Sequence, residues 1–270
     1  MFRSRCSTLF DCRQTRSDLK DFDMTKAMHS PLYVTQELLQ QRYQGAETIF
    51  VAGSVVKGEA TAHSDLDLVV VYPSIERAYR ESFAHRGWPV EAFVHDPQTL
   101  YYFFQKVVRP IGRGTLAEMI AEGHEVPGPS EFSRSIKTLA KQTLDMGTVP
   151  LTTEQIQDRR YQLSELLDDV REPRSRHDLV ADATLLFNEL AEFYFLTRGQ
   201  WTASGKAIAK RMKTVDPAFA RKFADAFDRL FSVGHTTAVI EMAEEMMAPF
   251  GGILFEGYRR DVSPDWRMDS

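Results

Sequence analysis

Cysteine is nearly absent. The 270-residue chain holds two, Cys6 and Cys12, both within its first dozen positions. Neither can staple a folded body, so no disulfide framework organises this protein, and the usage fits a reducing compartment. Long apolar runs are missing as well: none approaches the ~20 residues needed to cross a bilayer. Basic charge is not in excess, with 33 Lys and Arg against 38 Asp and Glu and a net charge of −5. That balance disfavours long nucleic acid as a partner. The histidines lack zinc-type spacing. No Ser/His/Asp or Cys/His nucleophile arrangement stands out, and no Gly-Lys-Ser/Thr follows a glycine at P-loop spacing. A cytoplasmic protein with no membrane partner is expected.

What is present is enough to bury substantial cores. An apolar fraction of 43% and a charged fraction of 26% over this length suit two domains. Residues 1–28 mix Arg3, Arg5, Arg13 and Arg16 with Asp11, Asp18, Asp21 and Asp23 and show no apolar period. They lack the continuous hydrophobic centre of a secretory signal and read as a disordered leader, with Met24 an alternative start.

Residues 29–128 form the first expected domain. Apolar positions at helical spacing mark Leu32–Tyr43, and short apolar runs mark strands at Glu47–Ala52, Leu66–Tyr72 and Trp88–Val94. Helices are expected over Glu76–His85, Gln98–Val108 and Leu116–Glu122. The fold class is therefore α+β, a small mixed sheet backed by helices. After Val126-Pro127-Gly128-Pro129-Ser130 the strand signals vanish, and residues 129–270 read as an all-helical bundle with breaks at Gly147, Pro150, Pro173 and Gly199.

The chemistry concentrates between the first and third strands. Asp65 and Asp67 open an apolar run, eleven and thirteen residues after Ser54. In an extended chain alternate side chains share a face, so these two carboxylates point at one spot and can bind one divalent ion. Magnesium takes oxygen ligands and keeps waters, and phosphate oxygens would complete its shell. Gly53 allows a tight exit from the preceding strand, and Ser54 begins a helical turn whose N–H groups and hydroxyl suit an anion. Glu91 interrupts the apolar strand Pro89–Val94. A lone carboxylate among such neighbours is costly unless paired or metal-bound, so Glu91 needs a cation.

Gly53, Ser54, Gly58, Ser64, Asp65, Asp67 and Glu91 together resemble the motif of the polymerase-beta superfamily nucleotidyltransferases, and within them the antibiotic-modifying, aminoglycoside-type adenylyltransferases. The resemblance covers Ile49 to Val94, with a weaker likeness in the helical C-terminal domain. It implies that Asp65, Asp67 and Glu91 hold one or two Mg2+ ions and that Gly53, Ser54 and Ser64 contact the triphosphate. It also implies ATP as co-substrate and a small hydroxylated acceptor, possible antibiotics among them. Glu91 would then take the proton of the attacking hydroxyl.

Lys206, opening a helix after Trp201-Thr202-Ala203-Ser204-Gly205, matches the helical-domain lysine that related enzymes direct at the triphosphate. Tyr258, beside Arg259 in the late Gly251-to-Arg260 segment, is a further nucleotide-contact candidate. Asn188, Glu189 and Glu192 interrupt an apolar run and are secondary candidates for an acceptor pocket. A nucleotide-binding antitoxin or regulatory relative, and a protein AMPylator, are the alternative readings; the apparent fusion of both domains in one chain counts against the antitoxin.

A chain beginning at Met24 should melt within a degree or two of the full-length protein and bind nucleotide equally, because nothing before it has a core-forming pattern. Comparison of the two thermal melts checks this, and a large drop would reveal an ordered element in the leader.

Overall fold

The computed structural model describes residues 30–61 and 63–262. The expected leader and the alternative start at Met24 lie outside the described residues. In chain order the elements are α1 (Pro31–Gln41), β1 (Thr48–Ala52), the single turn α2 (Gly53–Val56), β2 (Leu66–Val71), β3 (Tyr79–His85), β4 (Trp88–His95) and α3 (Pro97–Phe103). A π-helical turn (Phe104–Val108), α4 (Arg109–Ile111), α5 (Thr115–Glu122) and β5 (His124–Val126) follow. The remaining helices are α6 (Glu131–Met146), α7 (Thr153–Arg171), α8 (Arg176–Leu196), α9 (Ala207–Val215), α10 (Pro217–Val233) and α11 (Thr237–Met247), with a closing 3-10 turn at Ala248–Phe250.

These elements fall into two compact units. Among the described residues, one takes in everything up to Val107 together with Thr115–Met146; the other combines Val108–Gly114 with the chain from Gly147 onward. Helix α6, counted with the bundle in the sequence, packs on α5 of the first unit.

The first unit is built on a five-stranded mixed sheet in the order β3-β4-β2-β1-β5. Among the described residues only β2 and β4 run parallel; the other neighbours are antiparallel. Two strands differ from the sequence reading. The stretch Glu76–His85, expected to be helical, contains β3 instead. Its partner is β4, reached through Arg86-Gly87, which both have positive φ (49° and 76°). That is the backbone of a two-residue hairpin whose twist matches the strands it joins. The hairpin partner, invisible in local helical periodicity, decides the conformation. Strand β5 is three residues long, too short to leave a pattern. The expected helix over Gln98–Val108 is also subdivided, passing from α3 into the π-helical turn.

Period-two alternation sorts the sheet into two faces. Ile49, Val51, Leu66, Leu68, Val70, Val90, Ala92 and Val94 join Val34 and Leu38 of α1 in one buried cluster. The opposite parity, including Phe50, Asp67, Glu91 and Phe93, belongs to the other face; α5 packs on β1 and β2. Helix α1 starts at the Ser30 cap with Pro31 in its first position, where a missing N–H costs nothing. Beyond its C-terminal end, Arg42 forks onto Glu81 of β3 at 3.1 and 2.6 Å, and the buried Tyr43 hydroxyl donates to the same carboxylate at 2.8 Å. Arg86 adds a second fork onto the buried Glu37 of α1. The edge hairpin is thereby tied to the helix that covers the sheet.

The second unit is helical. Leu163, Leu167 and Val170 of α7, Leu186 and Leu190 of α8, Phe223, Phe227 and Leu230 of α10, and Val239, Met242 and Met246 of α11 share one core. Thr152 and Gln155 form a capping box on α7, and the Asp216 carboxylate caps α10 by accepting from the N–H groups of Ala218 and Phe219. The seven residues Val108–Gly114 are held in this unit by backbone bonds, Val149 N–H to Arg109 carbonyl at 3.1 Å and Thr202 N–H to Gly112 carbonyl at 2.8 Å. The Arg109 side chain also donates to the Gly147 carbonyl at 2.9 Å. Among the described residues no helix is long and apolar enough to cross a membrane.

At the end of β4, burial lowers the His95 imidazole to about 4, with the charge of Asp96 partly opposing. An unfolded histidine titrates near ~6.5. The depressed folded value means that its contribution to stability is complete above ~6.5 and is lost as the pH falls through about 4. Urea unfolding should therefore show a declining midpoint across that window, and His95→Gln should flatten the decline; an unchanged slope in the variant would remove His95 as its source.

Candidate active site

The site grows from the register of β2 on β4. The parallel ladder sets Asp67 directly beside Glu91. Neighbouring strands lie ~4.8 Å apart, so two carboxylates on one face of adjacent strands are close neighbours. Both line a cavity of about 450 Å³ in the first unit, together with Ala52, Gly53, Lys57 and Phe93. Thr115, Glu118, Met119 and Glu122 supply the α5 side.

Gly53 is needed here for two reasons. Its φ is +75°, a region in which side chains are strained, and a Cβ at this position would run into the Asp67 carboxylate. The bare backbone thus lets the end of β1 approach the acid on β2. The chain then folds back on itself. The Ser54 hydroxyl lies 3.0 Å from that of Ser64, and Ser64 accepts from the Thr61 N–H at 2.8 Å. The loop ahead of β2 is pinned to the turn after β1, which brings Ser54 and Ser64 together.

Asp65 stands exposed two residues before Asp67, on the loop rather than in the strand. Glu91 has the cation that its apolar strand called for, but the cation is a side chain: Arg80 of β3 donates to it. Among the described residues no three His, Cys, Asp or Glu side chains gather closely enough to hold a metal ion. The donor set nonetheless suits a hard divalent cation, because Asp67 and Glu91 offer carboxylate oxygens at register-paired positions over an open cavity.

Three lining residues were missed in the sequence. Lys57 bridges the cavity lining through a 2.8 Å ion pair with Glu122 of α5. Glu118 adds another carboxylate. Lys57 was legible as the residue before Gly58; the α5 acids had no signal beyond the polar side of an amphipathic helix. With Asp67, Glu91, Glu118 and Glu122 facing one lysine, the lining is acidic. A triphosphate would meet repulsion there unless a cation came with it.

Lys206 and Tyr258 lie in the second unit. Lys206 is exposed, immediately before α9. Tyr258 stacks on Tyr161 with ring centroids 4.0 Å apart and donates to Asp158 at 2.8 Å, pinning the late segment to α7. Arg160 continues that attachment by donating to the carbonyls of Gly251 and Gly252. Of the acceptor-pocket candidates, Glu192 accepts from Arg159 at 2.7 Å and the Asn188 amide donates to the Thr184 carbonyl at 2.8 Å.

Residues 34–120 match the family model of the nucleotidyltransferase domain. The match takes in the whole motif from Gly53 to Glu91 and leaves Lys206 and Tyr258 outside; it supports nucleotidyl transfer as the activity of this segment. A solved nucleotidyltransferase-like protein from Exiguobacterium sibiricum 255-15 is similar at 12% identity and a TM-score of 0.38, over 84% of this chain and 73% of its own. No curated protein matches the sequence.

Gly53 and Gly58 offer a matched pair of substitutions. Both have positive φ, but nothing lies within 4 Å of a Cβ at Gly58. Gly53→Ala and Gly58→Ala should each cost about 1–2 kcal/mol of backbone strain, while only Gly53→Ala displaces the Asp67 carboxylate and weakens Mn2+ binding. Urea unfolding and a Mn2+ titration of both variants check this; equal Mn2+ affinities would show that Asp67 tolerates the methyl group.

Proposed function

We propose that this protein is a magnesium-dependent nucleotidyltransferase that moves AMP from ATP onto a hydroxyl of a small molecule, antibiotics being one acceptor class. The observation that carries the reading is the register pairing of Asp67 with Glu91 over a cavity that Gly53 also lines. The nucleotidyltransferase-domain match over the same residues supports it.

A divalent ion bound there supplies charge neutralisation of the triphosphate and Lewis-acid polarisation of the reacting phosphate. Asp67 and Glu91 would hold it, with Asp65 joining from the loop. Turn α2 is a single turn, so its summed dipole is small. Anion holding therefore rests on individual N–H groups and on the hydroxyls of Ser54 and Ser64, which already share a hydrogen bond. Lys57, on the cavity lining, is placed to exchange Glu122 for a phosphate oxygen. Glu91 would accept the proton of the attacking hydroxyl, as a carboxylate within hydrogen-bond reach of it can. Lys206 is proposed, on the family resemblance, as a further triphosphate-directed cation.

The test is incubation with labelled nucleoside triphosphates, Mg2+ and a panel of hydroxylated antibiotics and proteins. Adenylylated small molecule and released pyrophosphate are the expected products. Asp67→Asn should lower turnover on the order of a hundredfold or more while leaving the melting temperature nearly unchanged. Glu91→Gln should lose turnover and retain nucleotide binding. Lys206→Ala should weaken ATP binding by roughly 1–3 kcal/mol, the range of a charge-assisted hydrogen bond, with Lys213→Ala as the silent control. Full turnover in Asp67→Asn would overturn the assignment.

A further inference from the structure

The Arg80–Glu91 contact links an edge strand to the proposed metal site. In the β3–β4 ladder Arg80 sits opposite Phe93, and Ser82 sits opposite Glu91, so arginine and glutamate are diagonal neighbours. Diagonal pairs of this kind are within reach of a long side chain. The guanidinium lies over the Phe93 ring, 5.0 Å from its centroid, while donating to Glu91. Phe93 and Glu91 both line the cavity. Arg80 therefore reaches from the outermost strand to the cavity edge and holds one of the two register-paired carboxylates there.

This ion pair is built to be exchanged. The Arg80 side chain is 61% exposed and that of Glu91 23% exposed. An ion pair at such an open position is weak, because water competes with both partners. Asp67 and Glu91 side by side repel one another unless a cation intervenes. Arg80 is the resident cation that relieves this repulsion, and a divalent ion between the carboxylates would relieve it more completely. Phe93 gives the guanidinium a second resting place on its ring face, so that releasing Glu91 does not require the arginine to leave the cavity edge.

We propose that Arg80 is a resident counter-cation for Glu91, occupying that carboxylate when no divalent ion is bound and competing with the ion for it. The role rests on the proposed nucleotidyltransferase reading, since it takes Glu91 and Asp67 as the cation-binding pair. It makes Arg80 a positioning residue that sets how tightly the site takes its metal. Losing Arg80 should then tighten metal binding, the reverse of what loss of a merely structural arginine would do.

The experiment is an electron paramagnetic resonance titration of free Mn2+ with the full-length protein, no nucleotide present. Arg80→Gln should bind Mn2+ about two- to fivefold more tightly than the wild type, the span of an exposed ion pair. Arg77→Gln removes the same charge nearby, from a side chain 86% exposed and paired with Glu76, and should leave the affinity unchanged. In a Glu91→Gln background, Arg80→Gln should bring no gain. Equal or weaker Mn2+ binding by Arg80→Gln, or an equal gain in Arg77→Gln, would overturn the proposal. If Asp67→Asn weakens Mn2+ binding while Arg80→Gln changes nothing, the metal-site reading stands and the role of Arg80 falls. If wild type and Asp67→Asn bind Mn2+ alike, both fall.

Discussion

The candidate site depends on one alignment, the parallel pairing of β2 with β4 that puts Asp67 beside Glu91. Parallel strands cannot be joined by a tight turn, and here the chain meets that constraint by way of β3. It passes from β2 to the sheet edge, and the Arg86-Gly87 hairpin then returns β4 into the gap between β3 and β2. The hairpin determines which residue of β4 faces Asp67. A slip of one residue would turn Glu91 to the α1 side of the sheet and bring an apolar side chain to the cavity. The ties from Arg42 and Tyr43 to Glu81, and from Arg86 to Glu37, hold the edge hairpin against the helix on that other face. Packing on the opposite face of the sheet thus fixes the register of the carboxylates.

The same alignment creates an electrostatic problem that the rest of the site answers. Two acids on neighbouring strands, with Glu118 and Glu122 across from them on α5, make a lining that is hostile to an anion on its own. Cations resolve it at three levels: Lys57 on Glu122, Arg80 on Glu91, and the divalent ion of the proposed chemistry. A binding pocket that is acidic when empty admits nucleotide together with metal more readily than nucleotide alone. The charge pattern and the nucleotidyltransferase-domain match therefore favour the same kind of ligand.

Much of this was legible in the chain itself. Gly53, Ser54, Ser64, Asp67 and Glu91 stand out through residue type and spacing, because turns, strand periodicity and carboxylates set in apolar strands obey local rules. The three strands around them, β1, β2 and β4, were placed to within a residue of their observed ends. The misplaced β3 shows where local rules stop. Tyr79–His85 is an edge strand because of what it pairs with, and its burial alternates only weakly. The Arg80 contact was hidden for the same reason: a diagonal neighbour exists only once a register is known. Helix α6 was assigned to the bundle because amphipathic periodicity shows that a helix has a buried face and not which core that face joins.

The seven residues Val108–Gly114 carry a consequence for how the chain is divided. They belong to the helical unit by their hydrogen bonds to Gly147, Val149 and Thr202, yet in sequence they interrupt the first unit. Neither unit is a continuous stretch of polypeptide. A single cleavage, whether at residue 128 or at residue 146, would leave the first unit carrying a strip of its neighbour's backbone, its polar groups stripped of their partners. The helical fragment would lose the strand of chain that closes Gly147 and Thr202 into one framework. The two units are separable as cores but interleaved as chain, so an excised first unit needs residues 108–114 replaced by a self-sufficient loop rather than simply left in place.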